Sequence, residues 1–182
     1  MVKNLKLLTI IQARKGFSRL PGKVMRKYKG ETYLEILLKR LKRSKRLQKI
    51  IVATSLNSED IKIVNLCKKL NISCLRGSNN DVIDRFYQIS KKFNSKNIVR
   101  ITADCPLIDP KIVDQIVKEY FLRNVSYATN TMPPTFPDGL DVEVFSFSAL
   151  KSAWRVSRKN KKLREHVTTH IRKNKKLKKL NL

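Results

Sequence analysis

The sequence predicts an α/β protein built on a mostly parallel, doubly wound sheet, and three observations carry that prediction. Short β-branched runs alternate with amphipathic stretches of helical period. Two of the runs, 49-KIIVAT-54 and 98-IVRIT-102, are nearly continuous in apolar residues, as strands covered on both faces are. Polar and charged residues gather directly after the runs, at 12-QARKG-16, 54-TSLNSED-60, 76-RGSNND-81 and 102-TADCP-106. Open parallel sheets bind ligands at those carboxyl ends.

The first strand is predicted at 7-LLTIIQA-13. Residues 32 to 43 then place Leu34, Leu37, Leu38 and Leu41 on one helical face. After the strand at 49–54, residues 59 to 70 repeat the pattern with Ile61, Ile63, Val64, Cys67 and Leu70. A strand at 72-ISCLR-76 leads to a helix over 81–93, with Asn79 and Asn80 as candidate caps. The strand at 98–102 precedes a helix over 109–121, in which Asp109 reads as the N-cap and Pro110 as the first helical residue. Two more strands are expected at 125-VSYAT-129 and 141-DVEVF-145, joined by the proline-rich 130-NTMPPTFPDGLD-141, which reads as an ordered loop over the site. Trp154, with Leu150 and Ala153, reads as packing for a last helix. The basic tail 172-RKNKKLKKLNL-182 closes on an apolar pattern, as a strand begins.

Composition narrows the function classes. A chain of 182 residues with 41% hydrophobic content forms one domain, 1–182, with a sizeable core. No apolar run approaches the ~18 residues that span a membrane. The run 7-LLTII-11 is shorter than the ~7–15 residues of a signal-peptide core and reads as a strand. Cys67, Cys74 and Cys105 are odd in number with no CxxC spacing, which fits a reducing cytoplasm. His166 and His170 have an i, i+4 spacing but lack a third ligand with suitable spacing. The net charge of +27 is permissive for an anionic ligand. The basic runs 39-KRLKRSKR-46, 91-KK-92 and 158-RKNKK-162 carry no interleaved aromatics, which speaks against dedicated nucleic-acid binding.

The stretch 12-QARKGFSRLPGKV-24 follows the first strand and has the parts of a phosphate-binding loop. Five residues, not four, separate Gly16 from Gly22, and Val24 stands where a Walker loop has its metal-binding hydroxyl. Asp104, at the end of a distant strand, is the residue type that could hold Mg²⁺ against a triphosphate instead.

Together with 76-RGSNNDVIDRF-86, 100-RITADCPLIDP-110, 139-GLDVEVFS-146 and 165-EHVT-168, this loop resembles the acylneuraminate cytidylyltransferase (CMP-sugar synthetase) family, and most closely its spore-coat polysaccharide branch. The resemblance implies a Rossmann-like three-layer α/β/α nucleotidyltransferase sandwich. It also implies transfer of CMP from CTP to an acidic sugar of nonulosonic type, with Mg²⁺ as cofactor and pyrophosphate released. By the same resemblance, Arg14 and Lys23 contact the triphosphate and Asp104 binds the metal. Ala13, Gly16, Ser18 and Gly22 would approach the nucleotide, while Arg76, Ser78 and Asp81 lie near cytosine and ribose. Gly139, Asp141 and Glu143 face the sugar or the metal. Arg85 and Arg100 match family positions, with a structural ion pair as the alternative for each. Two departures stand out: Phe17 replaces a usual serine, and relatives continue beyond Leu182 with a second metal-binding aspartate and a dimerisation element, so a homodimer belongs to the family pattern. Two other readings are a nucleotide-sugar glycosyltransferase of related fold and a non-catalytic polyanion- or RNA-binding domain.

Overall fold

Alternation along the first strand decides the layers. In β1 (Leu7–Gln12), Leu7 and Ile11 enter one hydrophobic core, and Leu8 and Ile10 enter the other, on the opposite face of the sheet. The structure, a computed structural model, describes residues 6–14, 16 and 22–182, the side chains of 159 and 162 excepted. Ser18 and Phe17 lie outside the described residues.

Beyond β1 a small antiparallel ribbon, β2 (Lys27–Tyr28) with β3 (Glu31–Thr32), leads into α1 (Tyr33–Leu41). There follow β4 (Lys49–Ser55), α2 (Ile61–Lys69), β5 (Ser73–Gly77), α3 (Val82–Lys92), β6 (Asn97–Thr102) and α4 (Pro110–Leu122). The chain continues through β7 (Tyr127–Thr129), β8 (Glu143–Ser146), α5 (Phe147–Val156), α6 (Lys161–Glu165), α7 (Thr169–Lys173) and β9 (Lys179–Asn181).

Seven strands form one sheet in the order β5-β4-β1-β6-β8-β7-β9. The pairs among β5, β4, β1 and β6 are parallel, as are β7 and β9, and β8 alone runs against its neighbours. This is the mostly parallel three-layer sandwich the sequence predicts. The buried stripes of α1, α2 and α4 cover one face, and those of α3, α5 and α7 cover the other. From β1 the chain moves outward to β4 and β5, then returns to lay β6 on the other side of β1. That reversal opens a crevice at the carboxyl ends of β1 and β6.

Local chemistry explains the helix starts. The side chains of Thr32, Asp109 and Ser146 accept hydrogen bonds from the backbone N–H of Glu35, Lys111 and Ala149. At α3 the cap is Asp81, which accepts from Asp84 N at 3.0 Å, rather than the expected Asn79 or Asn80. Trp154 packs as expected, stacked on Tyr87 at 4.2 Å between ring centroids, with its Nε1 donating to Asp84. Among the described residues no helix is long and apolar enough to cross a membrane.

Candidate active site

Hydrogen bonds extend the sheet past its strand ends and line up the loops that carry the candidate residues. Ala13 N donates to Ala53 O at 3.1 Å, and Ala103 N to Gln12 O at 3.0 Å. The residues after β1, β4 and β6 therefore leave the sheet side by side. Ala13 is fully buried, whereas Gly16 is exposed. Gly22 adopts φ 72°, a left-handed conformation suited to glycine, and opens a 3₁₀ turn over Lys23–Met25. That turn buries Val24 in the core, so Val24 serves packing and not metal binding.

Arg14 lies at the centre of one group of residues. Its Nη2 donates to Glu165 at 3.2 Å and its Nη1 to Asn79 O at 3.5 Å, linking the first loop to those after β5 and within the last third of the chain. Asp81 stands close by with both oxygens engaged: one caps α3, and the other pairs with Arg164, whose Nε lies at 2.8 Å. Arg76 spends its guanidinium on the carbonyls of Ser55 and Asn57, at 3.0 and 2.9 Å, and so clamps the edge strand to its neighbour. Ser78 is exposed in the same loop.

Asp104 and Asp141 form a second group. Asp104 follows β6, and Asp141 ends the long loop from β7 to β8 that also carries Gly139. Asn130 holds that loop in place: its Nδ2 donates to Leu140 O at 2.8 Å, and its Oδ1 accepts from Val142 N at 2.9 Å. Burial raises the pKa of Asp141, and the negative charges of Asp138, Glu143 and Asp104 raise it further. Asp104 and Asp141 thus lie at the ends of adjacent strands, β6 and β8, with Asp104 among the charges that raise Asp141. Cys105 lies between them, its thiol pushed up to about 11 chiefly by burial, which removes it as a nucleophile at neutral pH.

Glu143 is placed differently from the expectation that it faces sugar or metal. It is 2% exposed, because β8 runs antiparallel between β6 and β7 and turns this side chain into the protein. One oxygen pairs with Arg100; the other accepts from Arg172 and from the Tyr127 hydroxyl, both at 2.6 Å. Arg100 is thus the structural ion-pair partner the alternative reading anticipated, and it also donates to Gln12 Oε1 at 3.0 Å. Arg172 and Tyr127 carry no sequence signal for this role: they lie 29 and 16 residues from Glu143.

The crevice and the charged residues at its strand ends now have a family context. The sequence matches the Cytidylyltransferase family over residues 8–181. The chain belongs to the cytidylyltransferase family. It is 47% identical over 170 residues to an uncharacterized protein of Methanocaldococcus jannaschii, covering 93% of this chain and 68% of that one. It is 34% identical to the spore coat polysaccharide biosynthesis protein SpsF of Bacillus subtilis, covering 91% of this chain and 70% of SpsF. Among solved structures, a cytidylyltransferase from Leptospira borgpetersenii superposes with a TM-score of 0.93 at 36% identity, covering 98% of this chain and 76% of that one. A CMP:2-keto-3-deoxy-manno-octonic acid synthetase complexed with CTP shares the fold, with a TM-score of 0.75 at 14% identity over 97% of this chain and 89% of that one. As a cytidylyltransferase the chain is a nucleotidyltransferase enzyme, and its parallel strand ends are where that fold places its chemistry.

Proposed function

We propose that this cytidylyltransferase transfers CMP from CTP to a hydroxyl of an acidic sugar, releasing pyrophosphate, in the synthesis of a surface polysaccharide or glycan. The observation that carries the reading is the gathering of strand-end residues on one sheet edge: Arg14 after β1, Asp104 after β6 and Asp141 before β8. The role of SpsF in spore coat polysaccharide biosynthesis supports a surface-polysaccharide product.

In this reading the sugar oxygen attacks the α-phosphorus, and the bond to the β-phosphate bridging oxygen breaks. Such a displacement needs positioning and charge neutralisation more than covalent help. Arg14 and Lys23 neutralise the departing pyrophosphate. Asp141 takes the hydroxyl proton, since its raised pKa makes it a better base than Glu143, whose carboxyl is held down at about 2 by Arg100 and Arg172 against the upward push of burial.

Magnesium suits the donor set. Asp104 offers a hard oxygen ligand of the kind this ion takes, which leaves Asp141 to act as the base. Among the described residues no group of three or more His, Cys, Asp or Glu could hold a metal by itself, so oxygens of the nucleotide would complete the shell. When bound, the ion supplies charge neutralisation on the phosphates.

Two measurements test the proposal. CTP with Mg²⁺ should raise the melting temperature more than ATP, GTP or UTP do, and a chain that none of them stabilises would end the nucleotide reading. Lys23→Ala and Asp104→Ala should each lower CMP transfer by roughly 100-fold or more with an unchanged circular dichroism spectrum. Wild-type turnover in either variant would remove that residue from the site.

A further inference from the structure

Arg85 sits one turn into α3 and is 3% exposed. Its stem crosses β5 at Gly77, where a Cβ would come within 2.5 Å of Arg85 Cγ and 3.1 Å of Cδ. Only a residue without a side chain lets the arginine pass there, and the passage delivers the guanidinium to the carboxyl edge of the sheet. The charges it senses fix its place: Arg14 after β1, Asp60 after β4 and Asp81 after β5.

Among the described residues none of its three nitrogens has a hydrogen-bond partner, although all three are buried. Other half-buried arginines of this chain are neutralised: Arg14 by Glu165, Arg100 and Arg172 by Glu143, and Arg164 by Asp81. The carboxylates near Arg85 are engaged elsewhere. Asp60 accepts from the backbone and hydroxyl of Ser55, and Asp81 is held by Arg164 and the start of α3. Burial, and then the like charge of Arg14, bring its pKa down to about 10, so it stays a cation at neutral pH. A buried cation with every donor vacant destabilises the free protein unless a ligand completes it.

We propose that Arg85 is an anion-binding residue of the nucleotide site, donating from beneath the crevice to a phosphate group that it shares with Arg14. The forked donors of a guanidinium match phosphate oxygens in geometry as well as charge. Two adjacent cations, one of them without an internal counter-ion, suit a polyphosphate better than a single carboxylate. That the phosphate belongs to a nucleotide rests on the cytidylyltransferase reading above; the anion site itself does not.

The test is calorimetric titration of the full chain with inorganic pyrophosphate and with CTP–Mg²⁺, comparing wild type, Arg85→Lys and Arg85→Met, alongside ligand-free melting curves. Arg85→Met should bind pyrophosphate at least about tenfold more weakly, with Arg85→Lys between it and wild type. Without ligand, Arg85→Met should melt above wild type, because an apolar side chain replaces an uncompensated charge. A lower melting temperature for ligand-free Arg85→Met would mean that the guanidinium has a structural partner, and would overturn the proposal. So would wild-type affinity for both ligands in Arg85→Met, which leaves the nucleotide reading standing. If pyrophosphate binds in an Arg85-dependent way and CTP does not bind, the anion site stands and the nucleotide reading falls. Wild type binding neither ligand would remove both.

Discussion

Two acidic residues of one motif, Asp141 and Glu143, lie two positions apart and are driven in opposite directions. Burial raises Asp141, and its acidic neighbours add to the effect. Burial would raise Glu143 too, but Arg100 and Arg172 outweigh it and hold the carboxyl at about 2. A carboxylate depressed on folding contributes stability above its unfolded pKa and loses it as pH falls through the folded value. For Glu143 this places the loss between about pH 5 and pH 2, with about 3 kcal/mol at stake. Glu143→Gln should therefore lower unfolding free energy at pH 7 by about 3 kcal/mol, because two guanidinium groups are left without their counter-charge. Urea titrations at pH 7 and near pH 2 check this: the difference should shrink at the acid end, and equal midpoints at pH 7 would refute it. The motif 139-GLDVE-143 singles out both residues; what separates them is where β8 begins, since Glu143 is its first residue, opposite Arg100 of β6, and Asp141 lies in the loop before it.

Among the elements, α6 has five residues, too few to be stable alone. It is tied to α3 through Arg164 and Asp81, the residue that also caps α3. Asp81→Ala should cost about 1–2 kcal/mol through the lost cap. It should also speed amide exchange over 161–165 while leaving α4 protected, and unchanged exchange in α6 would show that Arg164 holds it by other contacts. The helices α1 and α2 were legible from period, because burial on one face dictates the spacing, and α4 from its Asp109–Pro110 start. Short elements such as α6, α7 and the β2–β3 ribbon span too few residues to show any period. Asn79 was a reasonable cap by residue type, but its carbonyl is instead positioned to accept from Arg14, and the helix starts two residues later.

Across the whole molecule, a net charge of +27 sets repulsion against the packed core. Screening weakens interactions between exposed charges, while the buried Glu143 network is affected little. The melting temperature should accordingly rise as sodium chloride increases from about 0.05 to 0.5 M. A falling melting temperature would mean that surface ion pairs outweigh the repulsion.

The sequence by itself determined the layered architecture and the crevice edge, because apolar periodicity and strand-end chemistry are local properties of the chain. It also singled out Arg14, Lys23, Asp104 and Asp141 as residues of that edge. Tertiary structure decided how charges far apart in sequence are paired. It turned Glu143 inward to Arg100, Arg172 and Tyr127, engaged Asp81 with Arg164, and set Asp104 and Asp141 at the ends of adjacent strands. Only the fold could separate these roles, because a carboxylate's chemistry depends on the burial and charges around it, and those come from strands and helices distant along the chain.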